Sequence, residues 1–341
     1  MAYPDPRPLR ILVIRYRFIG DTVLAIPCLR NLRLAFPNAK IDVLVEPVSG
    51  ETLALCPYKD ELLLYGPRLK GEKKRAAKFP TSLFAAAKFL RARHYDRCYI
   101  LRRAFSSAIL PLLAGIPHRV GFSAEGQGWL LQRSIPYADK HEVECFLDVL
   151  RADDIPIDDT RNENWSDSAA DRRVDATLPE GRHPRVFICA KSVLALKDWA
   201  PDRFAQLIVW LVNERGCEIH FCDSPGNAAY YAEIRAALPA PLAREWIDWS
   251  DKLSLRESNS LFRRMDLAIG IDTGLLHLAA SFHVPVIALF GPLEPWRWHP
   301  WDTKHVILRP KDLSGERPLL RIQVSEVQAA AEQFLPAVAA P

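Results

Sequence analysis

Short apolar runs alternate with longer helical patterns along most of the chain, and this alternation restricts the fold more than any other feature. The runs have the length of buried strands, and the segments between them have the length and periodicity of amphipathic helices. Strands joined through helices favour parallel pairing, because parallel strands need a long crossover connection. The pattern predicts strands at 10–16, 41–46, 61–65, 97–101, 119–122, 185–190, 218–222, 267–271 and 284–290, and helices at 21–35, 81–92, 105–114, 142–151, 201–215, 228–238, 255–265, 275–282 and 324–335. We therefore expect an α/β fold with mostly parallel sheets.

Chain length and one polar segment predict two domains. A chain of 341 residues is too long for one comfortable core. Between Asp153 and Pro184 the residues are polar and charged, and only a short strand at 175–178 is expected there. The predicted parts are a first domain at 1–160, a linker at 161–183, a second domain at 184–322 and a terminal helix at 323–341. Ligands of such sheets bind at the carboxyl ends of the strands, so two tandem βα domains imply a ligand cleft.

Composition argues against several classes of protein. A net charge of only +4 disfavours a strongly basic nucleic-acid binder. The apolar run 11–14 is far shorter than the core of a signal peptide or a membrane span. Seven scattered cysteines without a Cys-x-x-Cys pair fit reduced core thiols better than a disulfide framework or a zinc site. We expect a cytoplasmic protein with no nucleic-acid partner.

The segment 266–295 has the pattern of an anion site. A buried strand leads through Asp272, Thr273 and Gly274 directly into a short apolar helix. The first N–H groups of a helix have no intrahelical partner, and the helix dipole is positive there. Gly274 lets a ligand approach the backbone closely, and His277 lies one turn further on. Two other interpretations remain open here, a helix cap without a ligand and a buried histidine with a structural role.

Asp21 follows Gly20 where the first strand passes into its helix. This position puts a carboxylate at the carboxyl end of the strand, where it could take a proton from an attacking hydroxyl. The alternative is that Asp21 only caps the helix.

The usual phosphate motifs are missing. The sequence contains no Gly-x-Gly-x-x-Gly after the first strand, no P-loop and no Asp-x-Asp pair. A dinucleotide dehydrogenase, a P-loop NTPase and a metal-bound sugar nucleotide are therefore disfavoured. Backbone N–H groups and basic side chains would have to neutralise any diphosphate, and Lys191, Ser192 and Lys197 follow the strand 185–190.

Three strand-to-helix junctions together resemble glycosyltransferase family 9, the heptosyltransferases of lipopolysaccharide core assembly. The segment 15–21 ends in Gly-Asp, 197–199 resembles Lys-x-Trp, and 272–274 with His277 matches Asp-[Ser/Thr]-Gly-x-x-His. Shorter similarities at 36–37, 119–122, 141–144 and 290–292 keep the same order. The resemblance extends from Ile11 to about Leu335.

This resemblance implies a GT-B fold, in which two Rossmann-like domains with parallel sheets face each other across a cleft. The first domain would bind the acceptor, the second the nucleotide sugar, and the terminal helix would pack back toward the first domain. The implied reaction is inverting transfer of a heptose from ADP-heptose to a lipid-anchored core oligosaccharide, without a metal or other cofactor. The implied roles are a general base (Asp21), diphosphate ligands (Ser192, Lys197, Thr273 and Gly274) and pocket residues (Asp272 and His277).

Acceptor and nucleotide contacts are also implied. The acceptor candidates are Gly20, Lys74, Arg119 and His141, and Lys74 belongs to a basic segment with Lys70, Lys73, Arg75 and Lys78. Such a segment could bind anionic core sugars or the lipid heads of the inner membrane surface, or it could simply be solvated. Asn227 stands where the family often has a glutamate that binds the nucleotide ribose, so the donor stays open. Transfer of another nucleotide-activated sugar, an epimerase of the same fold and a non-catalytic binding protein are the alternatives.

Overall fold

The computed structural model describes residues 7–335 except 16, 67–79, 179–182, 193, 224, 243–245 and 251. The chain divides into two compact units, Met1–Asn162 and Glu163–Pro341. Each unit contains a parallel sheet with helices, so the prediction of two α/β domains is confirmed.

The first unit has six described strands, all parallel, in the order β3-β2-β1-β4-β5-β6. The strands are β1 Arg10–Ile14, β2 Lys40–Val45, β3 Glu61–Leu64, β4 Arg97–Ile100, β5 His118–Phe122 and β6 Arg133–Ile135. The α-helices are Ile19–Val23, Ile26–Ala35, Pro47–Gly50, Leu83–Arg91, Phe105–Leu113 and Glu142–Arg151. The strand order reverses between β1 and β4. Ligands of open α/β sheets bind at the carboxyl ends of the strands at such a switch point.

The second unit repeats this arrangement, and its described strands lie in the order β12-β11-β10-β7-β8-β9. The strands are β7 Arg185–Cys189, β8 Glu218–Phe221, β9 Ile247–Asp248, β10 Leu267–Ile271, β11 Val286–Leu289 and β12 His305–Leu308. The α-helices are Ser168–Thr177, Pro201–Arg215, Ala228–Ala237, Leu255–Phe262, Gly274–Ala280, Pro295–Trp298 and Val324–Ala331. The switch point of this sheet lies between β7 and β10.

The central strands beside each switch point are deeply buried. In β1 the residues 11–14 are fully buried, and every residue of β10 is buried. Parallel strands covered by helices on both faces have continuous apolar sequences, which is why these strands were predictable.

Gly270 allows β10 to pack closely against β7. A Cβ atom at this position would lie 2.0 Å from the carbonyl oxygen of Cys189. Because that neighbour is backbone, we expect Gly270→Ala to lower the free energy of unfolding of the second unit by more than about 3 kcal/mol. Gly226→Ala is the control, since no heavy atom beyond its two chain neighbours lies within 4 Å of its Cβ position. Urea unfolding measures the stability of both variants. Equal unfolding midpoints for the two would contradict a role of Gly270 in the close packing of β10 against β7.

The predicted helix 21–35 is divided into two helices, Ile19–Val23 and Ile26–Ala35. Pro27 lies in the first turn of the second helix. A proline cannot donate a bond to the carbonyl four residues earlier, and its ring clashes with that carbonyl. The first helix therefore ends at Val23.

The prediction of a strand at 175–178 is wrong, because Ser168–Thr177 is a helix. Asp167 caps it by accepting bonds from the N–H groups of Ala169 and Ala170. Arg264 binds the carboxylates of Asp171 and Asp175 on this helix. Ion pairs and a cap therefore stabilise a helix that has little apolar periodicity.

The terminal helix is shorter than predicted, Val324–Ala331 instead of 324–335. Its buried residues Val327, Ala330 and Ala331 belong to the apolar core of the second unit. Arg215, near the end of the helix Pro201–Arg215, forms an ion pair with Glu332 just beyond the terminal helix. These contacts attach the helix to the second sheet.

Candidate functional site

Asp21 lies just after β1, within the first turn of the helix Ile19–Val23. The N-cap is Phe18, which makes no side-chain capping bond, so Asp21 is not the cap residue. Its carboxylate forms an ion pair with Arg15, and the two side chains are 12% and 6% exposed. The Arg15 guanidinium also lies 5.4 Å from the ring centroid of Phe146. Arg15 therefore holds the carboxylate of Asp21 at the switch point of the first sheet.

A second carboxylate lies beside this ion pair. Glu142 is buried, and Tyr137 donates its hydroxyl to it. Burial raises the pKa of Glu142, the bond from Tyr137 lowers it, and the nearby negative charge of Asp21 raises it further, against smaller lowering effects of Arg15 and Arg103. The pKa of Glu142 is thus above its ordinary value. The carboxylates of Asp21 and Glu142 thus lie close to each other and to the Arg15 guanidinium.

Neither Arg15 nor Glu142 was predicted to have a role in the site. The sequence signal for Glu142 was an acidic residue at the start of the largely apolar segment 142–151. This segment forms a helix, and the apolar residues next to Glu142 are buried. A buried acid needs polar or charged partners, which is a reason to suspect a functional site.

Arg119, a predicted acceptor residue, uses its guanidinium within the first unit. The Nε group donates to the carbonyl of Leu130 at 2.8 Å, and Nη1 donates to the carbonyls of Ile116 at 2.5 Å and Pro117 at 3.3 Å. The residue is 8% exposed. These bonds join β5 to the segments beside it and use the Nε and Nη1 donors of Arg119, so its contact with the acceptor stays a prediction.

The other predicted acceptor residues occupy different positions. His141 is the N-cap of the helix Glu142–Arg151, and its Nδ1 accepts a bond from the N–H of Val143 at 3.2 Å. Gly20 is buried in the same helical turn as Asp21. Lys74 and the basic segment around it lie outside the described residues. Gly20 and His141 are thus built into the elements that carry Asp21 and Glu142.

Lys197 and Asp272 form a buried ion pair at the switch point of the second sheet. The Nζ of Lys197 donates to a carboxylate oxygen of Asp272 at 2.7 Å and to its carbonyl oxygen at 2.9 Å. The two side chains are 9% and 7% exposed. An ammonium group has three N–H donors. Two of them therefore tie the loop after β7 to the end of β10.

Thr273 and Gly274 follow this pair at the start of the helix Gly274–Ala280. Thr273 is the N-cap but makes no side-chain capping bond, and its hydroxyl instead lies 2.9 Å from the Sγ of Cys189. The alternative that Thr273 only caps the helix through its side chain is therefore not met. His277, one turn along, is 5% exposed.

The remaining predicted donor residues lie in neighbouring loops. Ser192 accepts a bond from the N–H of Leu194 at 3.1 Å, which shapes the loop after β7. Asn227 donates from Nδ2 to the carboxylate of Asp223 at 2.8 Å. Asp223 follows β8, the second strand of this sheet, and sequence analysis gave it no role. A carboxylate is thus present beside Asn227, although the glutamate of the family pattern is not.

The structure therefore brings the predicted residues into two separate groups, each at the carboxyl ends of its own sheet. The group in the first unit contains Asp21, Gly20 and His141. The group in the second unit contains Ser192, Lys197, Asp272, Thr273, Gly274 and His277. Within the described ranges, no set of three or more His, Cys, Asp or Glu residues is arranged to hold a metal ion.

Comparisons with known proteins find relatives over nearly the whole chain. Residues 83–319 match the family model described as glycosyltransferase family 9 (heptosyltransferase). The lipooligosaccharide heptosyltransferase 2 of Haemophilus influenzae is 25% identical over 353 residues, which covers 96% of this chain and 95% of the relative. The similarity thus spans both units.

Solved structures show the same fold. The glycosyltransferase family 9 protein of Veillonella parvula has a TM-score of 0.81 at 19% identity, covering 96% of this chain and 97% of the other. The ADP-heptose lipopolysaccharide heptosyltransferase II of Escherichia coli has a TM-score of 0.79 at 25% identity, covering 96% and 98%. The GT-B prediction is confirmed. By the match of its family model over most of the sequence, the chain belongs to glycosyltransferase family 9, the heptosyltransferase family.

Proposed function

We propose that this glycosyltransferase transfers a heptose from ADP-heptose to a sugar of the lipopolysaccharide inner core, with inversion and without a metal. Membership of family 9 and similarity to named heptosyltransferases over nearly the whole chain support the reaction class. The observation that carries the proposal is the carboxylate of Asp21, fixed by Arg15 at the switch point of the first sheet.

Asp21 is the proposed general base. It accepts the proton of the acceptor hydroxyl as the acceptor oxygen forms a bond to the anomeric carbon of the heptose. The bond from that carbon to the phosphate oxygen breaks, and ADP leaves with the electron pair. A carboxylate can take the proton in the transition state only if it is held in place, and the ion pair with Arg15 holds it.

The second unit is the proposed donor site. Lys197 binds the leaving diphosphate through its remaining N–H donor, while Asp272 keeps the ammonium group in position. Ser192 and the backbone at Thr273 and Gly274 supply further bonds to the phosphates. In a neighbouring loop, Asn227 and the Asp223 carboxylate it binds are proposed to contact the ribose hydroxyls. His277 lines the proposed pocket.

A lipid-anchored acceptor places the reaction beside a membrane surface. No helix in the described residues is both long enough and apolar enough to cross a bilayer. We propose peripheral contact with the cytoplasmic face of the inner membrane. Lys74 and the basic segment around it are proposed to contact anionic lipid or the acceptor. Gly20 and His141, near Asp21, are the other proposed acceptor contacts.

A donor and acceptor assay tests the proposal. The purified protein is mixed with ADP-heptose and a truncated, heptose-bearing core oligosaccharide, and ADP release and product mass are measured. We expect one ADP for each heptosylated product, with no reaction when the acceptor is omitted. Preference for a UDP- or GDP-sugar would redirect the donor assignment, turnover without acceptor would indicate an epimerase, and binding without turnover would indicate a non-catalytic protein.

A further inference from the structure

The backbone of Arg17 and Phe18, just before Asp21, has a conformation that residues other than glycine rarely adopt. The φ angle is 78° at Arg17 and 63° at Phe18, and the ψ angle of Phe18 is 128°. A positive φ is a genuine outlier for a bulky residue, and this ψ lies outside the left-handed helical region. Such strain persists only where the surrounding structure imposes it, and it is concentrated at functional sites.

The structure around Phe18 does impose this conformation. The carbonyl oxygen of Phe18 accepts bonds from the backbone N–H of Thr22 at 3.2 Å and from its hydroxyl at 2.9 Å. Thr22 is completely buried. The ion pair between Arg15 and Asp21 closes the same segment. The bonds that hold the base in place therefore also hold Phe18 in its strained position.

Neither burial of Phe18 nor an ion pair of Arg17 compensates for the cost of this strain. The Phe18 side chain is 63% exposed, so little apolar burial offsets its cost. The Arg17 guanidinium lies 5.3 Å from the Phe18 ring centroid, and no carboxylate of the described residues forms an ion pair with it. An exposed aromatic ring and a cation are thus presented together beside Asp21.

We propose that Phe18 and Arg17 form a platform for an acidic acceptor sugar. This inference rests on the proposed function. A sugar ring has one face rich in C–H bonds, which carry partial positive charge and are attracted to the negative face of an aromatic ring. A guanidinium binds phosphate or carboxylate through paired N–H donors. The Phe18 ring orients the sugar, and Arg17 binds its anionic substituent. The acceptor hydroxyl is then placed against Asp21, which lies on the same segment as Arg17 and Phe18.

Variants of Phe18 test the stacking contact. With a soluble, deacylated core oligosaccharide, we expect Phe18→Ala to raise the acceptor KM and the calorimetric acceptor Kd about tenfold. Phe18→Tyr retains the ring and is expected to stay within about twofold of the unaltered protein, and the KM for ADP-heptose is expected to be unchanged in both variants. Phe84→Ala is the matched control, because Phe84 is 75% exposed in the helix Leu83–Arg91 without positive φ.

Two further variants separate a binding role from a structural one. Phe18→Gly removes the steric strain, so we expect Tm to rise by about 2–4 °C while acceptor affinity falls. A residue that only stabilised the fold would lower Tm on truncation. Arg17→Gln is expected to weaken binding of the anionic acceptor about tenfold and to leave unaffected an acceptor whose phosphates have been removed and whose carboxylates have been reduced to alcohols.

The outcomes distinguish this inference from the proposed function. Unchanged acceptor Kd in Phe18→Ala would overturn the platform, whether or not the protein catalyses transfer. An effect confined to acceptor embedded in anionic lipid vesicles would assign the ring to the lipid surface and also overturn it. A protein that binds the acceptor through Phe18 but never consumes ADP-heptose would contradict the proposed function alone.

Discussion

Asp21→Asn is expected to reduce the rate of heptose transfer by about 10²- to 10⁴-fold, the range that general base catalysis contributes. The amide has nearly the size of the carboxylate but cannot accept the proton of the acceptor hydroxyl. Affinity for ADP-heptose is expected to stay nearly unchanged, because the base acts on the acceptor. Single-turnover kinetics measure the transfer step, and calorimetry measures donor binding.

The control for this substitution is a second aspartate in the first unit. Asp60 pairs with Arg33 at 2.6 Å, but its side chain is 44% exposed and accepts a bond from the N–H of Ile41 at the start of β2, the opposite end of the sheet. Asp60→Asn also removes an ion pair, and it should leave turnover unchanged. Arg15→Met should lower turnover as well, because the carboxylate of Asp21 then loses the partner that holds it. Full turnover by Asp21→Asn would refute the role of Asp21 as base.

The central strands of both sheets were predictable because their burial is complete. A strand such as β1 or β10 is covered on both faces, so its residues form an unbroken apolar run that is visible without any structure. The polar residues that follow such a run must lie at the carboxyl end of the strand. This is how Asp21, Lys197 and Asp272 could be predicted as candidate site residues.

Three edge strands, β6, β9 and β12, were not predicted from the sequence, whereas the edge strand β3 was. In β6, Arg133–Ile135, the first two residues are exposed, and β9 contains only Ile247–Asp248. These residues are strands because they pair with β5 and β8, and not because of their own pattern. Strand propensity depends on such neighbours, so tertiary context decides where local sequence does not.

Which charged residues interact within each candidate site could not be predicted from the sequence either. Lys197 and Asp272 are separated by 75 positions along the chain. Glu142 and Asp21 interact although they belong to different helices. The sequence could predict that polar residues gather at the switch points, but only the fold shows which charge lies against which.

The second large effect is expected from Lys197→Met, which should both destabilise the second unit and weaken ADP-heptose binding. Removing one member of a buried ion pair leaves the other charge uncompensated, at a cost of about 3–5 kcal/mol. Asp272 would be that charge, since its side chain is only 7% exposed. Loss of a charged hydrogen bond to the diphosphate should weaken donor binding by a further factor of about 10 to 100.

A double variant separates these two effects. In Lys197→Met with Asp272→Asn the buried carboxylate is replaced by an amide, so we expect most of the lost stability to return. Donor affinity should stay low, because the ammonium group is still missing. Arg309→Met is the control, since Arg309 pairs with Glu294 at 3.1 Å at a more exposed position of the same unit. Recovery of ADP-heptose affinity in the double variant would mean that Lys197 serves only to neutralise Asp272, and the diphosphate would then have to depend on Ser192 and the backbone at Gly274.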